Sequence, residues 1–444
     1  MKSLPFLAVV SAFAGLVLLA CSPEDPESAP DSSGTTAAAP TASSVPTPAP
    51  APSSPAVRGL RFEKLLGSTT LPFVAVEVKD DPTGPGFFCL GRDGHLFHWE
   101  VEMEDLPELS RPNAKGYFPP QTHATAKVRV DDNYSDGDLG VIGMDLDPDF
   151  AENRFVYVWK TDKPDLNLSL VRLCWNGTEE EILASRVEVI GFSRREPPKP
   201  YHMGGIVQFL PDGTLLVGVG DAERPELSQD RKDLNGKFLR IAPRKGPEGG
   251  YDVPADNPFV GDDTYAPEIF ATGLRAPFRA TLLKGRYLFF GDVGSEHEEI
   301  DVLDVTKGGV NFGWGIGHNT DGYLKRDDCV EPLVTWTKND DFSLDDDRYQ
   351  GEQRVAAGVG TVYEPDGNDR YHGFLTGKLL WHEVMRGWLR AAELTPEMGL
   401  GEHRHIGHLP FVGDVHQGKD GYLYFLTWGP GSALYRAFPD EVDG

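Results

Sequence analysis

Short apolar runs alternate with polar turns over most of the chain, from about residue 60 to residue 437. The runs are too short for helices, and the segments between them are rich in glycine, proline, aspartate and asparagine, which favour turns. No long segment repeats its apolar residues at helical spacing. The pattern therefore predicts an all-β protein. The expected strands include 73–78, 86–90, 155–159, 206–210, 215–219, 287–290 and 422–426.

A strand, a turn and a second strand recur as a unit along the chain. A further copy of this unit fits around 358–389. Such spacing is typical of sheets arranged radially, whereas a β-sandwich seldom reaches this length. We therefore predict a six-bladed β-propeller of four-stranded antiparallel blades over residues 58–440, with its ligand site at one end of the channel. The clearest copies lie at 144–160, 207–221, 281–292 and 415–427.

The N-terminus has the pattern of an export signal. A lysine at position 2 precedes an apolar run over 4–20, which ends in Leu-Leu-Ala before Cys21. We therefore expect residues 1–20 to be a signal peptide. The ending resembles the bacterial lipoprotein box, which implies a lipid on Cys21; an ordinary signal with a chance cysteine is the alternative. Residues 21–57 are dominated by proline, alanine, serine and threonine, which predicts a flexible linker.

These features predict an exported protein that the lipid on Cys21 tethers to a membrane. Ser22 stands where aspartate would favour inner-membrane retention, so we expect the outer membrane, on its periplasmic side or at the cell surface. The net charge of −27 argues against nucleic acid as a partner and against electrostatic docking to anionic lipid. Cys89, Cys174 and Cys329 form no metal-like pair, and the sequence leaves any disulfide pairing among them open.

The segment 201–221, YHMGGIVQFLPDGTLLVGVGD, contains the candidate chemistry. Its Pro-Asp-Gly turn predicts a hairpin, which would bring His202, before the first strand, close to Asp221, after the second. A histidine oriented by a buried carboxylate can act as a general base. A histidine with a purely structural role at a strand end is the alternative.

A series of segments resembles the glucose/sorbosone dehydrogenase family, which includes quinoprotein sugar dehydrogenases, aldose dehydrogenases and the propeller of hedgehog-interacting protein. The resemblance extends over about residues 60–437. It implies a six-bladed propeller that binds pyrroloquinoline quinone (PQQ) and calcium and oxidises the anomeric carbon of an aldose. The segments are DGDLGVIGMDLDPDF (136–150), HMGGIVQFLPDGTLLVGVGD (202–221), DLNGKFLRI (233–241), ADNPF (255–259), EIFATGLRAPFR (268–279), GDVGSEHEEIDVL (291–303), GGVNFGWG (308–315) and DGYLYFLT (420–427).

The resemblance also implies roles for individual residues. His202 matches the catalytic base, and Asp221 matches the carboxylate that orients it. Val293 and Gly294 match the positions whose backbone carbonyls bind calcium, a hard cation that accepts carbonyl oxygens. The implied partners are a small-molecule sugar and an external electron acceptor.

The cofactor positions show both matches and departures. Arg275 matches an arginine that contacts the quinone, and Asp138 stands where the enzymes usually place a glutamine or similar polar residue beside the quinone. The asparagine after that arginine is replaced by Ala276, an Arg-x-Arg pair is replaced by 411–413 (Phe-Val-Gly), and a fifth-blade lysine has only 385–386 (Met-Arg) nearby. Because PQQ bears three carboxylates, the departures remove partners that it needs. Arg279, Arg386 and the histidines of 403–408 are the candidates to compensate.

Three functions remain open at this stage: a PQQ- and calcium-dependent sugar dehydrogenase, a non-catalytic propeller that binds a saccharide or protein partner without PQQ, and an enzyme of different chemistry that uses the same pair. We expect Glu298, Glu299 and Asp301 to face solvent at a blade edge. We also expect the acidic run 340–347 to be a solvated insertion and the histidines of 403–408 not to form a metal site.

Overall fold

The computed structural model describes residues 56–67, 75–106, 124–130, 138–162, 166–193, 199–294, 297–316, 328–337, 355–428 and 432–442. These residues form six β-sheets and very little helix. The predicted signal peptide, Cys21, nearly all of the predicted linker and the acidic run lie outside the described residues. In the part that is described, no helix has the length and apolar character needed to cross a membrane.

The first three sheets follow one another along the chain and are built from consecutive strands. The third is larger than a four-stranded blade, because Tyr251–Asp252 pairs with Lys237–Pro243, and Val310–Asn311 pairs in parallel with Ile269–Thr272. The first contains β2 (Ala75–Asp80), β3 (Phe87–Gly91), β4 (His95–Trp99) and β5 (Ala126–Arg129). The second contains β6 (Val141–Leu146), β7 (Phe155–Asp162), β8 (Asn167–Cys174) and β9 (Val187–Phe192). The third contains β10 (Gly204–Phe209), β11 (Leu215–Val219), β12 (Lys237–Pro243), β13 (Tyr251–Asp252), β14 (Ile269–Thr272) and β18 (Val310–Asn311).

The last three sheets each have four strands, and the sixth joins the two ends of the propeller. In it, the first strand of the chain pairs antiparallel with the last, which closes the ring. The fourth sheet contains β15 (Pro277–Leu283), β16 (Tyr287–Asp292), β17 (His297–Asp304) and β19 (Val334–Thr337). The fifth contains β20 (Ala357–Val362), β21 (Leu379–Glu383), β22 (Trp388–Leu394) and β23 (Leu400–His408). The sixth contains β24 (Val412–Gln417), β25 (Leu423–Thr427), β26 (Ala433–Val442) and β1 (Ala56–Gly67).

The six sheets are the blades of a propeller. Their first strands β2, β6, β10, β15, β20 and β24 contact one another in that order, and β24 contacts β2, so these strands surround a central channel. Strands β3, β11 and β25 are buried at every position because neighbouring blades cover both of their faces. This double coverage explains why these strands read as continuous apolar runs. The predicted six-bladed propeller is confirmed.

Two short helices and the cysteines complete the described structure. Helix α1 (Phe150–Asn153) precedes β7, and helix α2 (Glu179–Ala184) precedes β9. Thr178 and Glu181 form a capping box at the start of α2. The three cysteines in the described residues form no disulfide with one another. Burial raises the pKa of the Cys89 thiol.

Candidate functional site

The hairpin of β10 and β11 brings His202 and Asp221 together at the end of the channel. In its turn, the Asp212 carboxylate accepts hydrogen bonds from the backbone nitrogen and the hydroxyl of Thr214, at 2.9 and 2.6 Å. His202 Nδ1 lies 2.6 Å from Asp221 Oδ1. Asp221 is fully buried, whereas the His202 side chain is 16 % exposed. A buried carboxylate therefore orients an imidazole that still reaches solvent.

The backbone around this pair is held in unfavourable conformations. His202, Ala222 and Glu223 have φ values of 57°, 62° and 55°, in the left-handed region that non-glycine residues seldom adopt. The Asp138 carboxylate accepts a hydrogen bond of 2.8 Å from the His202 backbone nitrogen. A Cβ at Gly220 would lie 2.0 Å from the His202 carbonyl oxygen, so only glycine fits there. Backbone strain of this kind clusters at functional sites.

Both oxygens of the Asp221 carboxylate are hydrogen-bonded. Oδ1 accepts from the backbone nitrogen of Glu223 at 2.7 Å, in addition to its contact with the imidazole. Oδ2 accepts from the indole Nε1 of Trp314, also at 2.7 Å. The sequence indicated no role for Trp314, although it lies in the conspicuous GGVNFGWG segment.

Arg275 lies beside this pair and links it to the next blade. The Asp221 backbone nitrogen donates to the Arg275 carbonyl at 2.7 Å. The Arg275 guanidinium lies 5.4 Å from the Trp314 ring and donates from Nη1 to the Val293 carbonyl. Its Nε is buried and has no hydrogen-bond partner among the described residues. The unmet donor at Nε makes Arg275 a candidate anion-binding residue.

These residues line a cavity of about 550 Å³ at the end of the channel. His202, Asp138, Arg275, Val293 and Gly294 all contribute to its lining, and Asp221 lies buried behind His202. The structure therefore brings together all six residues that the sequence singled out. It also adds Arg92, from a loop of the first blade, and Glu223, two residues after Asp221, neither of which sequence reasoning had singled out.

The opposite side of the cavity is apolar. We call it the apolar wall, and it contains residues from the segment before β20 and from the fifth and sixth blades. Two of the departures from the family pattern fall here, since Gly413 lines the cavity and Phe411 packs against Trp428 with ring centroids 5.3 Å apart. The wall therefore offers an aromatic ligand contact area but no cation. Its members are Val355, Ala356, Val384, Met385 and Trp428.

Arg279 does not compensate for the missing cationic residues. Its guanidinium is buried inside the channel, where Nε donates to the Gly413 carbonyl at 2.8 Å and Nη2 donates to the Val76 carbonyl at 2.6 Å. Longer contacts of 3.4 Å reach the carbonyls of Gly205 and Ile142. The Arg279 guanidinium thus contacts backbone carbonyls of four blades, so its N–H donors are already engaged.

The other candidates to compensate lie in the fifth blade. The Arg386 backbone nitrogen is bound by the Glu383 carboxylate, and Arg386 is not among the residues that line the cavity. The histidines of 403–408 lie on β23, the outermost strand of the blade, where Arg390 donates to His403 Nδ1 at 2.9 Å. Neither therefore supplies a cation to the cavity.

Four buried carboxyl groups lie on the strands that flank Val293 and Gly294. The expectation that Glu298, Glu299 and Asp301 face solvent is wrong: their exposed fractions are 0, 9 and 1 %. Strand β17 carries these acids between two blades, so acidic residues there do not mark a solvent-facing edge. Burial raises the pKa of Asp292 to about 6 and that of Glu298 to about 8. It also raises the pKa values of Glu299 and Asp301 well above their usual range.

The residues present fit a quinone on one side of the cavity. The volume lies within the range of about 300–1,000 Å³ that is common for small-molecule sites. The buried, unpartnered Nε of Arg275 suits an anionic oxygen. The apolar wall suits the flat face of an aromatic ring system but gives no charge-assisted bond to a carboxylate.

The turn at Val293 and Gly294 fits a cation. A Cβ at Gly294 would lie 1.4 Å from the His297 carbonyl oxygen, so the turn requires glycine. The Val293 carbonyl accepts one hydrogen bond from Arg275, but a carbonyl oxygen has two lone pairs. One carboxylate oxygen in each of Glu298, Glu299 and Asp301 lacks a partner among the described residues. Among all the residues that the structure describes, no group of three or more His, Cys, Asp or Glu residues could hold a metal. A cation at this turn would therefore need carbonyl ligands.

Comparison with known proteins agrees with this architecture. The sequence model of the glucose/sorbosone dehydrogenase family matches residues 112–436 of this chain. An aldose sugar dehydrogenase of Escherichia coli is 23 % identical over 366 residues, which cover 81 % of this chain and 88 % of that protein. The HIPL2 protein of Arabidopsis thaliana is 30 % identical over 245 residues, which cover 43 % of this chain but only 35 % of that longer protein.

A solved structure has the same fold. The PQQ-bound form of an aldose sugar dehydrogenase from Streptomyces coelicolor superposes with a TM-score of 0.60 and 18 % sequence identity. The match covers 87 % of this chain and 99 % of that one. At this identity the comparison supports the propeller alone, so the chemistry must be argued from the residues of the cavity.

Proposed function

Because the chain belongs to the glucose/sorbosone dehydrogenase family, we propose that it oxidises an aldose-type sugar at the anomeric carbon, with PQQ and calcium as cofactors. The observation that carries the proposal is the contact of 2.6 Å between His202 Nδ1 and the buried Asp221 carboxylate, with His202 lining the cavity. Asp221 is buried behind His202 and does not reach the cavity, so it acts on a substrate only through the His202 imidazole.

The geometry of this pair supports a proton transfer to His202. An ionised carboxylate only accepts hydrogen bonds, so His202 carries its proton on Nδ1 and has a lone pair on Nε2. Nε2 takes the proton of the substrate hydroxyl, and Asp221 stabilises the imidazolium that forms. Asp138 supports this step by fixing the His202 backbone through its 2.8 Å hydrogen bond.

Arg275, Asp138 and the Val293–Gly294 turn would hold the cofactors. PQQ held there would supply a hydride acceptor for the sugar carbon, and calcium would make that acceptor more electrophilic. Arg275, which lines the cavity, would bind and orient an anionic oxygen of the quinone. The carbonyls of Val293 and Gly294 would ligate the cation, in front of the buried carboxyls behind the turn.

The proposal extends to the cellular setting. An external acceptor takes the electrons, and a signal peptide over 1–20 with a lipid on Cys21 places the propeller at a membrane outside the cytoplasm. The lipoprotein-like ending at Cys21 and the proline-rich linker of 21–57 support this part of the proposal. Metabolic labelling with an alkyne fatty acid tests it, because Cys21→Ala should abolish the label.

A second candidate function is a propeller that binds a saccharide or protein partner without PQQ. The apolar wall favours it, because the arginine pair and the lysine implied by the family are replaced there by Phe411, Gly413 and Met385. Charge-assisted hydrogen bonds contribute about 1.5–3 kcal/mol each, so the loss of several would weaken PQQ binding severely. The two functions therefore differ in a measurable affinity.

Calorimetric titration of the full chain with PQQ in calcium separates them. Tight, calcium-dependent binding supports the dehydrogenase, and no binding at high micromolar PQQ would eliminate it. In a protein that binds, His202→Ala should abolish aldose-dependent reduction of an artificial acceptor while the affinity for PQQ stays within about twofold. His372→Ala, which changes a histidine paired with Glu441, is the matched control and should retain turnover. Undiminished turnover in His202→Ala would contradict the assignment of the base.

A further inference from the structure

Trp314 contacts both of the polar elements on which the proposed function rests. Its indole Nε1 donates to Asp221 Oδ2 at 2.7 Å, and its ring lies 5.4 Å from the guanidinium carbon of Arg275. We propose that Trp314 is a positioning residue that locks Asp221 in the orientation that serves His202 and supports Arg275 through the face of its ring. This inference rests on the proposed function and adds a residue to its machinery.

The indole is well placed for this role because its backbone is fixed. Trp314 is 6 % exposed, its nitrogen donates to the Gly273 carbonyl at 3.0 Å, and its carbonyl accepts from Gln229 Nε2 at 2.6 Å. The Gln229 side chain is in turn held by Asn311, whose Nδ2 donates to it at 2.8 Å. The two hydrogen bonds of the Trp314 backbone, one of them to a Gln229 side chain that Asn311 holds in place, therefore restrict the movement of the indole.

Asp221 needs such a partner because its two oxygens do different work. Oδ1 faces the imidazole and the Glu223 backbone nitrogen. Oδ2 lies inside the protein, and the Trp314 indole is the donor that reaches it. Without that donor a buried carboxylate oxygen would be unsatisfied, and the carboxylate would gain by rotating away from His202 toward another donor.

Arg275 depends on the same side chain through a different interaction. A guanidinium over an aromatic face is stabilised by the ring quadrupole, and this attraction does not require the indole N–H. Two substitutions at Trp314 therefore separate the two contacts. Trp314→Phe keeps an aromatic face and removes the N–H, and Trp314→Leu removes both.

The test compares these variants with a tryptophan that lacks such contacts. Trp336→Phe is the matched control, since Trp336 is buried in the fourth blade and its Nε1 has no partner among the described residues. We expect Trp314→Phe to lower kcat about tenfold or more, with KM and the dissociation constant of PQQ within about twofold. We expect Trp314→Leu also to raise that dissociation constant. A loss of kcat in Trp314→Phe no larger than in Trp336→Phe would overturn the proposal.

A spectroscopic measurement distinguishes this failure from failure of the proposed function. In a ¹H–¹⁵N spectrum, the indole resonance that disappears in Trp314→Phe should shift when Asp221→Asn replaces the carboxylate, because the N–H then loses its charged acceptor. This readout needs neither cofactor nor turnover. If the wild-type chain is inactive but the resonance shifts, the hydrogen bond between Trp314 and Asp221 is supported and the proposed dehydrogenase function is wrong. A resonance that does not respond to Asp221→Asn would overturn the positioning role itself.

Discussion

Replacing Glu298 with glutamine should stabilise the propeller at alkaline pH and leave it nearly unchanged in acid. The Glu298 side chain is fully buried. Its Oε2 accepts from the backbone nitrogens of Ala357 and Gly294 at 2.7 and 3.3 Å, and its Oε1 has no partner among the described residues. Glutamine has the same shape, its amide oxygen can accept both bonds, and it never ionises.

The magnitude follows from the pKa of this carboxyl. Burial raises the pKa of the Glu298 carboxyl from 4.5 to about 8. Between these two pH values, the folded protein keeps a proton that the unfolded chain releases. Stability therefore falls as pH rises, by about 1.4 kcal/mol per pH unit, and the loss reaches about 5 kcal/mol above pH 8. Below pH 4.5 both states are protonated and the effect vanishes. The Glu298→Gln variant avoids this loss.

Urea unfolding at pH 5, 7 and 9, with a chelator present throughout, measures the difference. The advantage of Glu298→Gln over wild type should be under about 1 kcal/mol at pH 5 and should grow to several kcal/mol at pH 9. Glu397→Gln, at an exposed glutamate, is the control and should change stability by less than about 0.5 kcal/mol at every pH. An advantage that does not grow with pH would refute the reasoning.

Two further predictions concern calcium and the channel. Chelation should lower the melting temperature of the PQQ-loaded protein and weaken its affinity for PQQ, since the carbonyl ligands of Val293 and Gly294 would lose their cation; calorimetry in which both quantities stay constant would argue against a metal there. Arg279→Met should lower the free energy of unfolding by about 3–5 kcal/mol, because Glu77 and carbonyls of four blades lose their partner. Urea unfolding of Arg286→Met, which breaks an exposed pair with Asp304, should show a loss below about 1 kcal/mol, and equal losses would contradict the role of Arg279.

The fold was predictable because the first five blades are local in sequence, whereas the first strand of the chain completes the sixth. The hairpin around Asp212 and Gly213 has the turn that Pro-Asp-Gly predicts, and the expected unit near 358–389 is confirmed as β20 to β22. Consecutive strands pair with each other in every blade, so patterns of short range contain most of the topology. The extra strands of the third blade were not predictable, because β18 returns to β14 from nearly 40 residues away.

The candidate site was predictable only where it is local. His202 and Asp221 are 19 residues apart in one hairpin, so their meeting could be predicted. Trp314 is 93 residues from Asp221, and Arg279 reaches the Val76 carbonyl across 203 residues. Such contacts depend on how blades pack around the ring, which no local pattern specifies. The same packing buries Glu298 on a strand whose acidic residues predicted exposure.

The backbone conformations around Asp221 bear on the choice between the proposed catalysis and simple binding. Non-glycine residues at positive φ cost on the order of 1–2 kcal/mol each, and His202, Ala222 and Glu223 all adopt this conformation around one buried carboxylate. A saccharide can be bound by unstrained hydrogen-bonding groups, so binding alone gives no reason for this cost. Proton abstraction does, because it requires the imidazole Nε2 to face a substrate while Nδ1 stays fixed on Asp221. The departures from the family pattern at the apolar wall affect only the part of the cavity that would hold the cofactor. A measurement of the affinity for PQQ therefore decides whether this proton-transfer geometry is used.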